Sequence, residues 1–188
     1  IDTNGFNYIR ANKYEDKTYL GCEILKKQLS TGGYRSSACL NLINKKFLDS
    51  IKLYFYPKIL HEDELFTFIL YLKAQKVGLY NEKFFHRRIR KASIMTSKFN
   101  RNRVDGYLTV CRELHCQLQR YNIPSTTKQL LKERIYYILQ VIINNMDRTN
   151  IEYYNEIKNI ITHEFKNCIP HQIYLKLKYP LIYNMFIY

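Results

Sequence analysis

Near residue 104 the chain changes rhythm. From Val104 to Arg120, Thr126 to Met146 and Ile151 to Asn167, apolar residues recur at helical spacing. Breaks fall at Pro124, at Asp147-Arg148-Thr149-Asn150 and at Pro170. Ser125 or Thr126 is placed to cap the second of these helices. Ahead of residue 104 the segments are short and mixed. Gly21 to Leu29 reads as an amphipathic helix closed by Thr31-Gly32-Gly33, Ser37 to Ile43 as a strand, and Asn44 to Leu48 as a short helix. Leu53 to Tyr56 is an extended run stopped by Pro57. From Glu62 onward Leu65, Phe66, Ile69 and Leu70 keep helical spacing over about a dozen residues. Val77 to Phe85 has the alternation and the β-branched and aromatic content of a strand. These patterns predict a mixed α/β part over residues 1–104, with a few strands, followed by an all-helical region over residues 105–188.

A chain of 188 residues can bury a core of its own. Its five cysteines (Cys22, Cys39, Cys111, Cys116 and Cys168) are odd in number and contain no Cys-x-x-Cys pair, so a zinc ribbon or redox motif is not expected. Reduced thiols and a cytoplasmic location are the simplest expectation. The most apolar stretch, Ile135 to Ile143, is interrupted by Gln140. It is far short of the roughly 18–20 apolar residues that cross a bilayer. The first residue is Ile1 rather than methionine, from which a start further upstream is expected.

The formal net charge is +14. More than half of that surplus sits between residues 83 and 103, where Lys83, Arg87, Arg88, Arg90, Lys91, Lys98, Arg101 and Arg103 occur without a single acid. Such a block attracts phosphates of any kind, so charge alone admits nucleic acid, anionic lipid and a nucleotide diphosphate. No RNA-recognition, helix-turn-helix or zinc-finger pattern accompanies it, and nucleic acid is not expected as the partner.

Two blocks carry chemistry. The first is Ile59-Leu60-His61-Glu62-Asp63-Glu64-Leu65-Phe66, which sets carboxylates in the opening turn of a helix. Acids there always complement the helix dipole, worth about 0.3–1 kcal/mol, so the pair by itself is not diagnostic. A zinc-protease motif is excluded, because a second histidine would have to stand at position 65, which is Leu65. His61 is expected to be a local hydrogen-bonding residue rather than a ligand. The second block is Phe85-His86-Arg87-Arg88-Ile89-Arg90-Lys91-Ala92-Ser93-Ile94-Met95, at the end of the expected strand.

In this order and at this separation the two blocks resemble the C-terminal half of a family-2 glycosyltransferase, an inverting enzyme of the GT-A fold. The resemblance covers about residues 20 to 105. It implies that Asp63 is the base that takes the proton from an acceptor hydroxyl, with Glu62 as its orienting neighbour. It also implies that Arg88, Arg90 and Ser93 hold the donor diphosphate, where guanidinium forks stabilise the charge that builds on the leaving group. Relatives often carry His in place of Arg90, and arginine cannot help hold a metal. The Mg²⁺ or Mn²⁺ of such enzymes would therefore be held mainly by the nucleotide-binding half. That half, with its Asp-x-Asp motif, is not found in these 188 residues, and the chain alone is expected to be inactive.

Tyr34 to Leu42 resembles the strand that runs toward the acceptor pocket, with Arg35, Ser37 and Asn41 as candidate acceptor contacts. The expected partners are a nucleotide-sugar donor and a saccharide or lipid-linked acceptor, in bacterial polysaccharide or glycolipid synthesis. The mixture of Lys176 and Lys178 with Tyr174, Tyr179, Tyr183 and Tyr188 suits a peripheral contact with the inner face of a membrane. The alternative from another class is a non-enzymatic basic module that binds nucleic acid or anionic membrane.

Overall fold

The structure, a computed structural model, describes residues 14–82, 99–146 and 149–179. Arg88, Arg90 and Ser93 lie outside them. Seven α-helices follow one another among the described residues: α1 Gly21–Ser30, α2 Lys45–Ile51, α3 Glu62–Lys73, α4 Arg101–Leu118, α5 Ser125–Asn145, α6 Ile151–Glu164 and α7 His171–Lys178. They fall into two compact units, one of residues 14–55 and 63–82, the other of residues 56–62, 99–146 and 149–179. The helix α4 runs unbroken through the expected boundary at 104/105.

The described residues are all-helical, and this overturns the expected α/β architecture. They hold no strand, only an isolated antiparallel bridge between Tyr19 and Val77. Its two hydrogen bonds are Tyr19 N–H to Val77 O at 3.0 Å and Val77 N–H to Tyr19 O at 2.9 Å. Where a strand was expected over Ser37 to Ile43, residues 38–40 coil into a 3₁₀ turn. The Asn41 amide donates to the carbonyls of Ser37 and Ala38 at 3.3 and 3.4 Å. Asparagine offers its own backbone a local partner in place of a ladder. The run Leu53 to Tyr56 is likewise irregular. Residues 78–82 continue Val77 without a ladder, and residues 83–85 of the expected strand lie outside the described residues. A strand needs a neighbour on its edge, and β preference alone does not supply one.

In the first unit α3 is the central element. Every residue from Glu64 to Tyr71 is buried, so the helix is enclosed on all sides rather than along one stripe. Phe55 stacks on Phe66 with ring centroids 4.2 Å apart. Tyr34 meets Phe68 and Tyr71 edge-on at 6.1 and 6.3 Å. Thr67 donates its hydroxyl to the Ser36 carbonyl at 2.6 Å. The first turn of α1 docks on the other end, where Gly21 N–H donates to Ala74 O at 2.9 Å. A Cβ at Gly21 would collide with the carbonyl oxygen of Tyr71. The helix α1 closes as the sequence predicts, with Gly32 at φ 67° and Gly33 N–H returning to Gln28 O at 2.8 Å.

The second unit is a helical bundle. The helix α4 buries Val104, Leu108, Cys111 and Leu114, and α5 buries Leu131, Ile135, Ile138 and Ile142, each set at 3–4 residue spacing along one face, with Leu139 buried beside the α5 set. Arg112 grips Glu164 with two bonds, 2.7 and 2.8 Å, and Arg101 reaches Glu156 at 3.5 Å. Both ties keep the same sequence order, so α4 and α6 point the same way. Asn100 and Asn150 cap α4 and α6 by accepting from Arg103 N–H and Tyr153 N–H. The turn before α3 rests on α4 at Gly106, where an added Cβ would strike the carbonyl of Leu60.

Alanine is favoured over glycine inside a helix by about 1 kcal/mol. At these two contacts the rule should reverse. Gly21→Ala and Gly106→Ala are each expected to lower stability by about 1–3 kcal/mol, because the clashing atoms are backbone. Gly78→Ala, which meets nothing within 4 Å, should leave the urea midpoint nearly unchanged.

Candidate functional site

The acid-bearing turn is shaped before the helix begins. Lys58 and His61 both adopt left-handed backbone, at φ 60° and 69°, a conformation that costs side-chain-bearing residues roughly 1 kcal/mol or more. Packing offsets that cost. The His61 ring stacks on Tyr107 of α4 at 3.8 Å, 7° from parallel, and Phe99 stacks on Tyr107 at 6.3 Å. Burial, and then the positive charge of Arg103, push the His61 imidazole down to about 4. It is therefore neutral near pH 7, with its Nε2 buried and lacking a hydrogen-bond partner among the described residues.

Glu62 and Asp63 follow at the first two positions of α3, where the sequence pattern put them. Both are half-buried, and the residues after them are buried without interruption. The Asp63 carboxylate thus stands in the first turn of a helix whose next eight residues are buried, with one side open to solvent.

The candidate acceptor residues take different roles. The Arg35 guanidinium donates through Nη1 to the carbonyls of Gly32 and Tyr34 at 2.8 and 2.7 Å, which ties down the α1 exit. Ser37 Oγ pairs with Cys39 Sγ at 3.2 Å. Asn41 lines a cleft of about 870 Å³ in the first unit. One wall is residues 40–44 with Phe47; the other is Leu70, Tyr71 and residues 74–80. Leu42 stands fully exposed at this cleft and Tyr80 is two-thirds exposed, so it presents apolar surface to solvent. Arg35, Ser37 and Asp63 do not line it. The cleft was not legible as such, although both of its walls carry the apolar residues that read as strands.

Among the described residues no group of three or more His, Cys, Asp or Glu side chains is arranged to hold a metal ion, and no helix is long and apolar enough to cross a membrane. All five cysteines are free thiols. No protein-family model, curated protein or solved structure matches the chain.

The buried imidazole gives a signed pH dependence. The unfolded chain takes up a proton at His61 near 6.5 and the folded chain only near about 4. The contribution of His61 to stability is therefore complete above pH 6.5 and is lost as pH falls toward 4. Urea midpoints should drop across that window. His61→Asn tolerates the left-handed backbone and cannot take up the proton, so it should flatten the drop. An equal drop in the variant would assign the acid sensitivity to other groups.

Proposed function

We propose that the chain belongs to an inverting glycosyltransferase, supplying the base that activates an acceptor hydroxyl and the cations that receive the donor diphosphate. The observation that carries this reading is the placement of Asp63: a half-exposed carboxylate in the first turn of a helix that is buried from Glu64 to Tyr71. A base must hold its position while a neutral hydroxyl attacks a sugar carbon, and a side chain that directly precedes two buried helical turns suits that need. The order of the two sequence blocks supports it further. After α3 the chain passes through Val77, hydrogen-bonded to Tyr19, toward the segment that carries Arg88, Arg90 and Ser93. The proposal carries over the roles of these residues and not the α/β fold, which the all-helical described residues overturn. Glu62 is the neighbour that orients Asp63 in this proposal, and the donor is a nucleotide-diphosphate sugar.

A second reading is a non-enzymatic basic module. It is favoured by the all-helical character of the described residues together with the +14 surplus. One experiment separates the two. In the full-length protein, Asp63→Asn should lower the transfer rate by on the order of a thousandfold, the usual weight of a general base. Calorimetric affinity for the nucleotide-sugar should change little, because the lost interaction acts in the transition state. Unimpaired transfer by Asp63→Asn would remove the base from its role, and a wild-type protein that binds no nucleotide-sugar would leave the basic module as the better account.

A further inference from the structure

Lys166, in the 3₁₀ turn Lys166–Cys168, and Lys178, at the end of α7, converge on one aromatic ring. Their ammonium groups lie 5.3 and 5.4 Å from the centroid of Tyr174. Lys178 Nζ also donates to the Tyr174 hydroxyl at 2.9 Å, and this ammonium holds the phenol below its usual range. The His171 ring lies alongside, 6.3 Å away and 21° from parallel. Lys178 further covers Tyr179, at 5.5 Å. The Tyr174 ring is buried beneath, while His171, Lys166, Lys178 and Tyr179 are exposed.

This cluster is short of negative charge. From Phe165 to Tyr188 the sequence has no acid, and the carboxylate just before it, Glu164, is held by both bonds from Arg112. Ammonium groups gathered at one ring repel each other, and a tyrosine face attracts each only weakly at an exposed site. An anion with several oxygens would satisfy both lysines at once. The residues beyond the cluster select among anions. Residues 179–188 read Tyr-Pro-Leu-Ile-Tyr-Asn-Met-Phe-Ile-Tyr, without a charge and almost wholly apolar or aromatic. A polynucleotide groove continues its cations along the strand. Cations beside tyrosine and then an apolar run are instead the order in which a bilayer interface is met, from headgroup inward.

We propose that the Lys166–Tyr174–Lys178 cluster docks on the headgroup phosphates of an anionic lipid surface. This holds independently of the transferase reading. The test is flotation of the full chain with phosphatidylcholine vesicles, with and without phosphatidylglycerol. Binding should require phosphatidylglycerol and weaken with added salt. Each lysine near an anionic surface contributes about 1 kcal/mol, so Lys166→Gln with Lys178→Gln should reduce binding about thirtyfold, and each change alone about fivefold. Lys26→Gln with Lys46→Gln removes the same charge elsewhere and should leave binding within about twofold. Circular dichroism establishes that each variant is folded, and the single variants report the contact should the double variant lose its helix signal. Equal partition onto neutral vesicles, an undiminished double variant, or an equal loss in the Lys26/Lys46 control would each overturn the proposal. Tighter binding to single-stranded RNA than to the anionic vesicles, lost in the Lys166/Lys178 variant, would assign the cluster to nucleic acid instead.

Discussion

The enclosure of α3 is the constraint on which the first unit depends. An ordinary surface helix buries one stripe and leaves the rest to water, but here Phe66, Phe68, Ile69, Leu70 and Tyr71 are all buried in succession. Each large apolar side chain so enclosed contributes about 1.5–3 kcal/mol. Elements that are too short to be stable by themselves are held against it: α1 through Gly21, the segment around Tyr34 and Ser36 through ring edges and the Thr67 hydroxyl, and the exposed run at Phe55 through its stack on Phe66. Lys73 adds a bond to the Ile51 carbonyl at the end of α2, at 3.4 Å. The same buried stretch begins directly after Asp63, so the packing that stabilises the unit also fixes the direction in which α3 leaves its first turn.

Helices were legible wherever period and punctuation agreed. α3 begins at Glu62 as the apolar spacing indicates, and α5 starts directly after Pro124, although Pro124 itself takes the cap position and neither Ser125 nor Thr126 makes the expected side-chain cap bond. The second half of the chain carries long uninterrupted helical periods, and it folds as they dictate. Strands were not legible in the same way, because the information that makes one is not in the segment itself. Ser37 to Ile43 and Val77 to Phe85 have the right residue types, but a helix closes its hydrogen bonds internally while a strand must borrow them from a neighbour. Among the described residues Val77 finds Tyr19 and no more. Asn41, whose neighbours have the composition of a strand, instead turns its amide onto carbonyls three and four residues back.

The candidate site divides along similar lines. Asp63 and Glu62 were placed by a local rule, acids in the first turn of a helix, and local rules survive folding. Arg35 could not be placed, because a guanidinium three residues after a glycine reads equally as a ligand contact or as a clamp on the turn, and only the bonds to Gly32 and Tyr34 distinguish them. His61 marks the limit of motif reasoning. Its position between a turn and a helix suggests a local hydrogen-bonding group, whereas its ring is packed flat on Tyr107 from a helix some forty residues onward, about which spacing says nothing.

The abundance of tyrosine has a physical use in a chain with 30 lysines and arginines against 16 acids. Carboxylates cannot pair every cation, and among the described residues several lie over rings: Arg134 over Tyr137, Arg101, which also reaches Glu156, over Tyr153, Lys158 over Tyr154 and Lys27 over Tyr14 and Tyr19. A ring face attracts a cation without consuming its charge, and it does so weakly enough that an incoming anion can compete. Arg112, committed to Glu164 through two bonds, has little left to offer a ligand. Lys166 and Lys178, held by a tyrosine, keep nearly all of theirs. Rings therefore hold cations such as Lys166 and Lys178 at the surface without neutralising them, using a residue type that also fills the core.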